Sequence, residues 1–260
     1  MLESIIKTSL PETSLIPHTV FNIYQLNINP AHISSSSVTL IIFILGIYLR
    51  LNLNYIPGKF QLIFEEIIGF LYNSAKVSFE DSALARRYIT FIISLFIFIG
   101  IENQFTLIPL VQSIIFNENK VFMPSTAHLS QTVALALIVV ILSHVAALFK
   151  SPIHHIFNVF NLHEILKVKT LKDIPNMFLQ IFLGLLNLIG EFTKIISLSV
   201  RLFGNIFAGE VMVSVITGIS IYTMFFVPIP FMILSIFSGL IQAFVFTFLA
   251  IAFVSDTIKK

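Results

Sequence analysis

Asn187, Glu191, Lys194, Leu198, Arg201 and Asn205 recur at intervals of 4, 3, 4, 3 and 4 residues within an otherwise apolar stretch. That repeat gathers side chains on one face of an α-helix. Ser197, Gly204 and Ala208 fall beside Arg201 on the same face, and small residues let another helix come close. Arg201 is the sharpest chemical signal, because a guanidinium does not shed its proton. Placing such a charge near the centre of a bilayer costs about 2.5–3.5 kcal/mol, so it needs a carboxylate or water. Two readings follow: a structural pair inside the chain with Glu191 or Glu210, or a fixed cation aimed at a carboxylate on a partner. In a continuous helix Glu191 lies ~15 Å from Arg201 on one side and Glu210 ~13.5 Å on the other. Both are beyond salt-bridge reach, which favours the partner. Acid, permanent cation and acid in axial order suit a proton route whose two ends are kept apart by a charge.

The next apolar stretch carries Ser235, Ser238, Gly239 and Gln242 on a helical face. Antiparallel pairing would set Gln242 near the depth of Arg201 and Ser235 near that of Glu210. Gln242 reads either as an ordinary interhelical hydrogen-bonding group or as a group that also holds Arg201 in position. His128, Ser130 and Gln131 precede a third apolar run, where an imidazole with an ordinary pKa near 6.5 would collect protons or merely decorate the interface. His154, His155 and His163 lack zinc-binding spacing, and no metal or cofactor is assigned. His144 receives no role. The chain has no Cys, hence no disulfide, thiolate metal site or cysteine nucleophile.

These groups need lipid around the helices that carry them. Of 260 residues 57% are apolar and 11% charged, with a mean hydropathy of +0.96. A soluble domain carries about 25% charged residues to cover its core. The net charge of +2 comes from scattered basic residues, which excludes the clustered footprint of a nucleic-acid binder. The pattern predicts an all-α integral membrane protein, a single membrane domain with about five membrane-embedded helices and one interfacial amphipathic helix. Residues 1–37 form an external segment, 38–54 the first span, 57–80 the amphipathic helix, and 88–112 and 129–149 further spans. Residues 173–222 and 227–254 form a long tilted hairpin, and 255–260 an inner tail. The first arm of the hairpin is ~70 Å long as a helix, over twice the ~30 Å hydrocarbon thickness, so it tilts steeply or breaks near Gly184 or Gly190. With the N-terminus outside and the C-terminus inside, 11 basic residues face inward and 2 outward, Lys194 and Arg201 being intramembrane. No internal repeat is visible, which counts against a secondary transporter.

The run Ser197-Leu-Ser-Val-Arg201-Leu-Phe-Gly-Asn205-Ile-Phe-Ala-Gly-Glu210 resembles the signature of subunit a of F-type ATP synthases. So do Ile241-Gln242-Ala-Phe-Val-Phe, the Thr126-Ala-His-Leu approach to Ala134-Leu-Ala-Leu, and Asn103 through Pro109; together they cover roughly 55–255. The resemblance implies proton translocation through two offset half-channels at the interface with a ring of c-subunits, coupling the proton-motive force to rotation and ATP synthesis. Arg201 would face the carboxylate of each passing c-subunit, with Asn205, Glu210 and Gln242 lining the outer route. Glu191, His128 and Ser235 complete the candidate proton-translocating set. The chain would be a non-catalytic stator subunit, partnered by the c-ring, b-type peripheral stalk subunits and the lipid bilayer. A bacterial plasma membrane is favoured, with a mitochondrial inner membrane or other organellar membrane as the alternative. The sequence departs from the family pattern at His128, where many bacterial relatives carry an acid, at Ser235, where others have His or Glu, and at Ile195, which replaces a common Pro. The competing readings are a self-contained secondary ion transporter and a passive membrane anchor of a respiratory complex. No oxygen-rich cage for Na⁺ is visible.

Overall fold

The computed structural model describes residues 21–23, 26–105, 111, 115–116, 119–120, 122–150, 174–219 and 226–259. Outside them lie most of the expected external segment, the connection holding His154, His155 and His163, the tip of the long hairpin and Lys260. Six helices follow one another: α1 (Pro30–Leu51), α2 (Lys59–Phe79), α3 (Ser82–Phe105), α4 (Leu129–Lys150), α5 (Ile174–Ile219) and α6 (Pro228–Lys259). A 3₁₀ turn, Ser125–Ala127, leads into α4. Two minimal antiparallel hairpins, β1 (Phe21–Ile23) with β2 (Leu26–Ile28) and β3 (Ile115–Phe116) with β4 (Asn119–Lys120), sit in the connections. Five helices are long and apolar enough to cross a membrane: α1, α3, α4, residues Leu179–Ile216 of α5, and α6. This is an all-α integral membrane protein.

α1 starts ahead of the apolar run that marks it in sequence. Pro30 stands at the first helical position, where its fixed φ suits a helix start and its missing N–H costs nothing. The serine run then lies inside the helix, with the Ser34 and Ser37 hydroxyls donating to the carbonyls of Pro30 and Ile33 at 3.1 and 2.8 Å. α5 is a continuous 46-residue helix that passes through Gly184 and Gly190 without a break, so at 1.5 Å per residue it is about 69 Å long. α2 is less apolar than the five spans and buries one side, Leu71, Ala75 and Phe79, against α3 and α6.

One core joins α3, α4, α5 and α6 through Ile99, Val139, Leu198, Leu202 and Phe246. Phe96 and Phe244 meet at 4.6 Å between ring centroids, and Phe70 of α2 packs edge-on against Phe244 and Phe248. Away from this core, Phe43, Ile181, Phe192, Ile196 and Ile241 are exposed. In water so broad an apolar exterior would aggregate, whereas hydrocarbon solvates it.

The ends of the bundle differ in chemistry. At one end Lys150 Nζ donates to Ile258 O at 3.0 Å and Lys259 Nζ lies 2.6 Å from Glu80 Oε1. The α2–α3 turn, with Arg86 and Arg87 just after it, therefore gathers beside the ends of α4 and α6. The Lys259 hydrogen bond and charge hold the Glu80 carboxyl below the usual carboxylate range. Glu80 takes a left-handed φ of 56°, which closes α2 and turns the chain into α3. At the opposite end the 3₁₀ turn docks on α1 and α3, where Met123 N–H donates to Ser34 Oγ at 3.2 Å.

Candidate functional site

The antiparallel α5–α6 pair fixes the register of the polar residues. Asn205 Nδ2 donates to Ser238 O at 3.1 Å, and Ser238 Oγ donates back to Asn205 Oδ1 at 2.5 Å. One turn on, a Cβ built on Gly209 would lie 3.0 Å from Ser235 Oγ. Continued the other way, that register sets Arg201 level with Gln242. Ser235 falls level with Glu210.

Arg201 is exposed on the flank of this pair. Its Nη2 donates to Ser197 Oγ at 3.3 Å, and among the described residues no carboxylate forms an ion pair with it. The cause is the orientation of α5: Leu198 and Leu202, 1% and 0% exposed, turn into the core, which leaves Ser197, Arg201 and Ala208 outside. A Cβ placed on Gly204 or Gly190 would meet no other part of the chain within 4 Å. The permanent cation thus stands on a strip of small residues open to whatever lies beside the protein.

Toward the basic end, Glu191 and Lys194 point to α4 and α6. Lys194 Nζ pairs with Glu191 Oε1 at 2.9 Å, and His144 Nε2 lies 3.4 Å from Glu191 Oε2. Lys194 also sits 5.3 Å from the Phe253 ring centroid, within cation–π range. Glu191 is thereby committed to neighbours other than Arg201. His144, left without a role by sequence reasoning, belongs to this half-buried cluster. Asn187 is exposed on α5 without joining it.

Toward the other end, Gln242 is 6% exposed and its Nε2 has no hydrogen-bond partner. Level with Arg201, it makes no hydrogen bond to the guanidinium. The expectation that Gln242 holds Arg201 directly is therefore not met by a contact within the chain. Beyond it runs a polar layer that the sequence did not flag. Asn103 Nδ2 and Gln104 Nε2 of α3 donate to Gly239 O and Ile236 O of α6 at 3.2 and 3.0 Å, and Thr126 Oγ1 donates to Asn103 Oδ1 at 3.1 Å. Gly239 permits this approach, since a Cβ there would lie 3.0 Å from Gln104 Nε2 and 3.3 Å from Asn103 Cβ. Next to this layer Ser125 Oγ donates to Glu102 Oε1. The available signal was three consecutive polar residues, 102–104, near the end of an apolar run.

His128 ends the 3₁₀ turn and is half-buried. Burial, and then the charge of His32 on α1, pushes its imidazole below the ordinary value. The partly buried Glu210 and Ser235 occupy the same end of the α5–α6 pair. Among the described residues no three His, Cys, Asp or Glu side chains group so as to hold a metal ion.

The arrangement offers a non-titrating cation at an open surface, an acid–base cluster on one side of it and a layered polar path on the other. Comparison with known proteins bears on its use. The sequence pattern of the family described as ATP synthase A chain matches residues 32–255. A protein named ATP synthase subunit a from Desulfotalea psychrophila is 33% identical over 205 residues, 78% of this chain and 73% of that one. Another of that name from Moorella thermoacetica is 31% identical over 224 residues, 84% of this chain and 86% of that one. A third, from Geotalea daltonii, is 27% identical over 220 residues, 85% of this chain and 83% of that one.

Proposed function

The chain belongs to the ATP synthase A chain family, and from that premise we propose that Arg201 is the fixed charge past which a ring of c-subunits carries protons. Family membership places the protein in proton translocation within the membrane sector of ATP synthase, as a subunit that performs no catalysis by itself. The finer reading has protons reach the ring by one half-channel and leave by another, offset from it. Glu210, Asn205, Gln242, Ser235 and His128 serve the outer route, and Glu191 the inner one. The observation that carries this reading is the exposed Arg201, without an ion pair in its own chain and flanked by small residues.

The proton's itinerary follows from charge. A carboxylate on the ring is drawn to the guanidinium while ionised and must be neutral to enter lipid, so it gains a proton on one side of Arg201 and loses one on the other. A proton moving straight between the two half-channels meets the guanidinium field. Each elementary charge crossing 100 mV gains ~2.3 kcal/mol, energy that is useful only if this direct leak stays slower than rotation. The asymmetric basic residues support an N-out, C-in orientation, with α2 lying at the inner interface. The c-ring and b-type stalk subunits are the proposed protein partners, and the bacterial sources of the relatives support a bacterial plasma membrane.

The decisive test is the assembled complex in proteoliposomes with Arg201→Lys or Arg201→Ala. Lysine keeps a charge but lacks the planar, strongly basic fork. Both variants lose proton-driven ATP synthesis while the complex still assembles. Normal synthesis with Arg201→Ala would reduce the chain to an anchor and overturn the assignment.

A further inference from the structure

Glu102 is the acid that this scheme leaves unused. It is 0% exposed, near the end of α3, with Oε1 accepting from Ser125 Oγ and Oε2 buried without a hydrogen-bond partner. A carboxyl kept only to pin the 3₁₀ turn would have both oxygens satisfied, as buried polar atoms generally are. Here one oxygen is engaged toward the turn and the other is left over.

The surroundings give that asymmetry a direction. The turn carries Ser125 and, at its end, His128, whose backbone N–H donates to Ser125 O at 3.0 Å. The adjacent residue, Asn103, leads the other way, through Gly239 of α6 toward Ser238 and Asn205. Arg201 lies one helical turn beyond Asn205. The titratable groups on the elements around this end of α3 are His32 on α1, His128 at the end of the turn and Glu210 on α5. The Ser235 hydroxyl, level with Glu210, does not titrate near neutral pH.

We propose that Glu102 is a proton relay of the outer half-channel, loaded at Oε1 through the Ser125 hydroxyl and unloaded from Oε2 toward the polar layer between α5 and α6. This rests on the proton-conducting role argued above and adds a carrier to it. In the loading step the Ser125 Oγ–H bond breaks as an Oε1–H bond forms on the ionised carboxyl, and Ser125 takes a proton from water on the His128 side. In the unloading step the carboxyl turns and its O–H proton passes to water beside Asn205 and Ser238, restoring the carboxylate. Each step moves one proton and leaves Ser125 unchanged.

The test compares Glu102→Gln, Glu102→Asp and Ser125→Ala with Arg201→Ala in the assembled, reconstituted complex, recording ATP synthesis against outer pH. Gln keeps the size and hydrogen-bonding capacity of the site but cannot carry a proton. It lowers the rate at least about tenfold, a conservative value for losing a proton-transfer group. Asp restores most of the rate with a displaced outer-pH profile. Ser125→Ala keeps the acid and removes its donor, and it too displaces the profile, so a Glu102→Gln variant that fails to assemble leaves the relay testable. Wild-type rate and profile in Glu102→Gln, with Arg201→Ala inactive, would overturn the relay while leaving the proton-conducting role intact. Slow Gln and Asp variants with unchanged profiles, or an unchanged profile in Ser125→Ala, would overturn it as well. Activity in Arg201→Ala would instead strike the underlying role.

Discussion

Two glycines on facing helices answer to different neighbours, and replacing each by alanine separates contacts within the chain from contacts made outside it. At Gly239 the added methyl would lie 3.0 Å from Gln104 Nε2 and 3.3 Å from Asn103 Cβ. Overpacking of this kind costs about 1–3 kcal/mol. Pushing α3 away also strains the hydrogen bonds from Asn103 and Gln104 to α6, each worth about 1 kcal/mol. Gly239→Ala should therefore destabilise the protein by about 2–4 kcal/mol. At Gly204 the methyl meets nothing in the chain, and alanine in a helix gains up to about 1 kcal/mol over glycine. The two variants should differ by about 3–5 kcal/mol, with opposite signs relative to wild type. Denaturant unfolding in detergent, followed by circular dichroism, reads the difference. In the reconstituted complex the order changes: Gly204→Leu should assemble and yet impair coupled ATP synthesis, because its bulk fills the open strip beside Arg201. Equal destabilisation at the two positions would refute the assignment of Gly204 to the outer surface. Undiminished synthesis with Gly204→Leu would refute close approach of a partner there.

Glu191→Ala leaves Lys194 half-buried without its carboxylate partner and removes the group beside His144. The loss should be about 1–2 kcal/mol, between the surface and buried limits for ion pairs, and a double-mutant cycle with His144→Ala should give clearly non-additive unfolding energies. The His128 imidazole is held below its ordinary pKa by burial and by His32, so the unfolded chain binds more protons than the folded one between the two values. Its contribution to stability is complete above the unfolded pKa, about 6.5, and is lost as pH falls through the folded pKa. His128→Gln should flatten that part of the stability–pH curve, and an unchanged slope would show that another group sets it.

The helical stripe at 4- and 3-residue spacing was legible because a continuous helix carries it and because the axial gaps from Arg201 to Glu191 and Glu210 depend only on helical rise. The level of Gln242 and Ser235 was legible for the same reason, since an antiparallel pair leaves little choice once Gly209 meets Ser235. Periodicity does not say how the bundle turns each helix. Leu198 lies in the middle of the stripe and is buried, Glu191 and Lys194 face α4, and Arg201 faces out. One face by spacing thus became three environments by packing. Glu102 was hidden by a different limit. Its partner, Ser125, lies across a connection between helices, and pairing at that separation leaves no periodic trace, so the acid registered only as a blemish in an apolar run.

An exposed Arg201 has a further consequence for the proposed motor. A guanidinium and a carboxylate 4 Å apart attract by about 4 kcal/mol at an effective dielectric of 20, more than the ~2.3 kcal/mol that one charge gains across 100 mV. A cation buried among apolar side chains would tighten that attraction and hold each carboxylate after it arrived. At the open flank of α5, beside the Ser197 hydroxyl, water and a polar neighbour reach the same guanidinium and offset part of the pairing. The charge cannot be lost by deprotonation, so it blocks the direct path in every state of the ring. Its exposure weakens the pair enough for the carboxylate to leave once a proton replaces the guanidinium as its partner. Permanence of charge comes from the residue type; reversibility of pairing comes from the turn of α5 that buries Leu198 and Leu202 and leaves Arg201 outside.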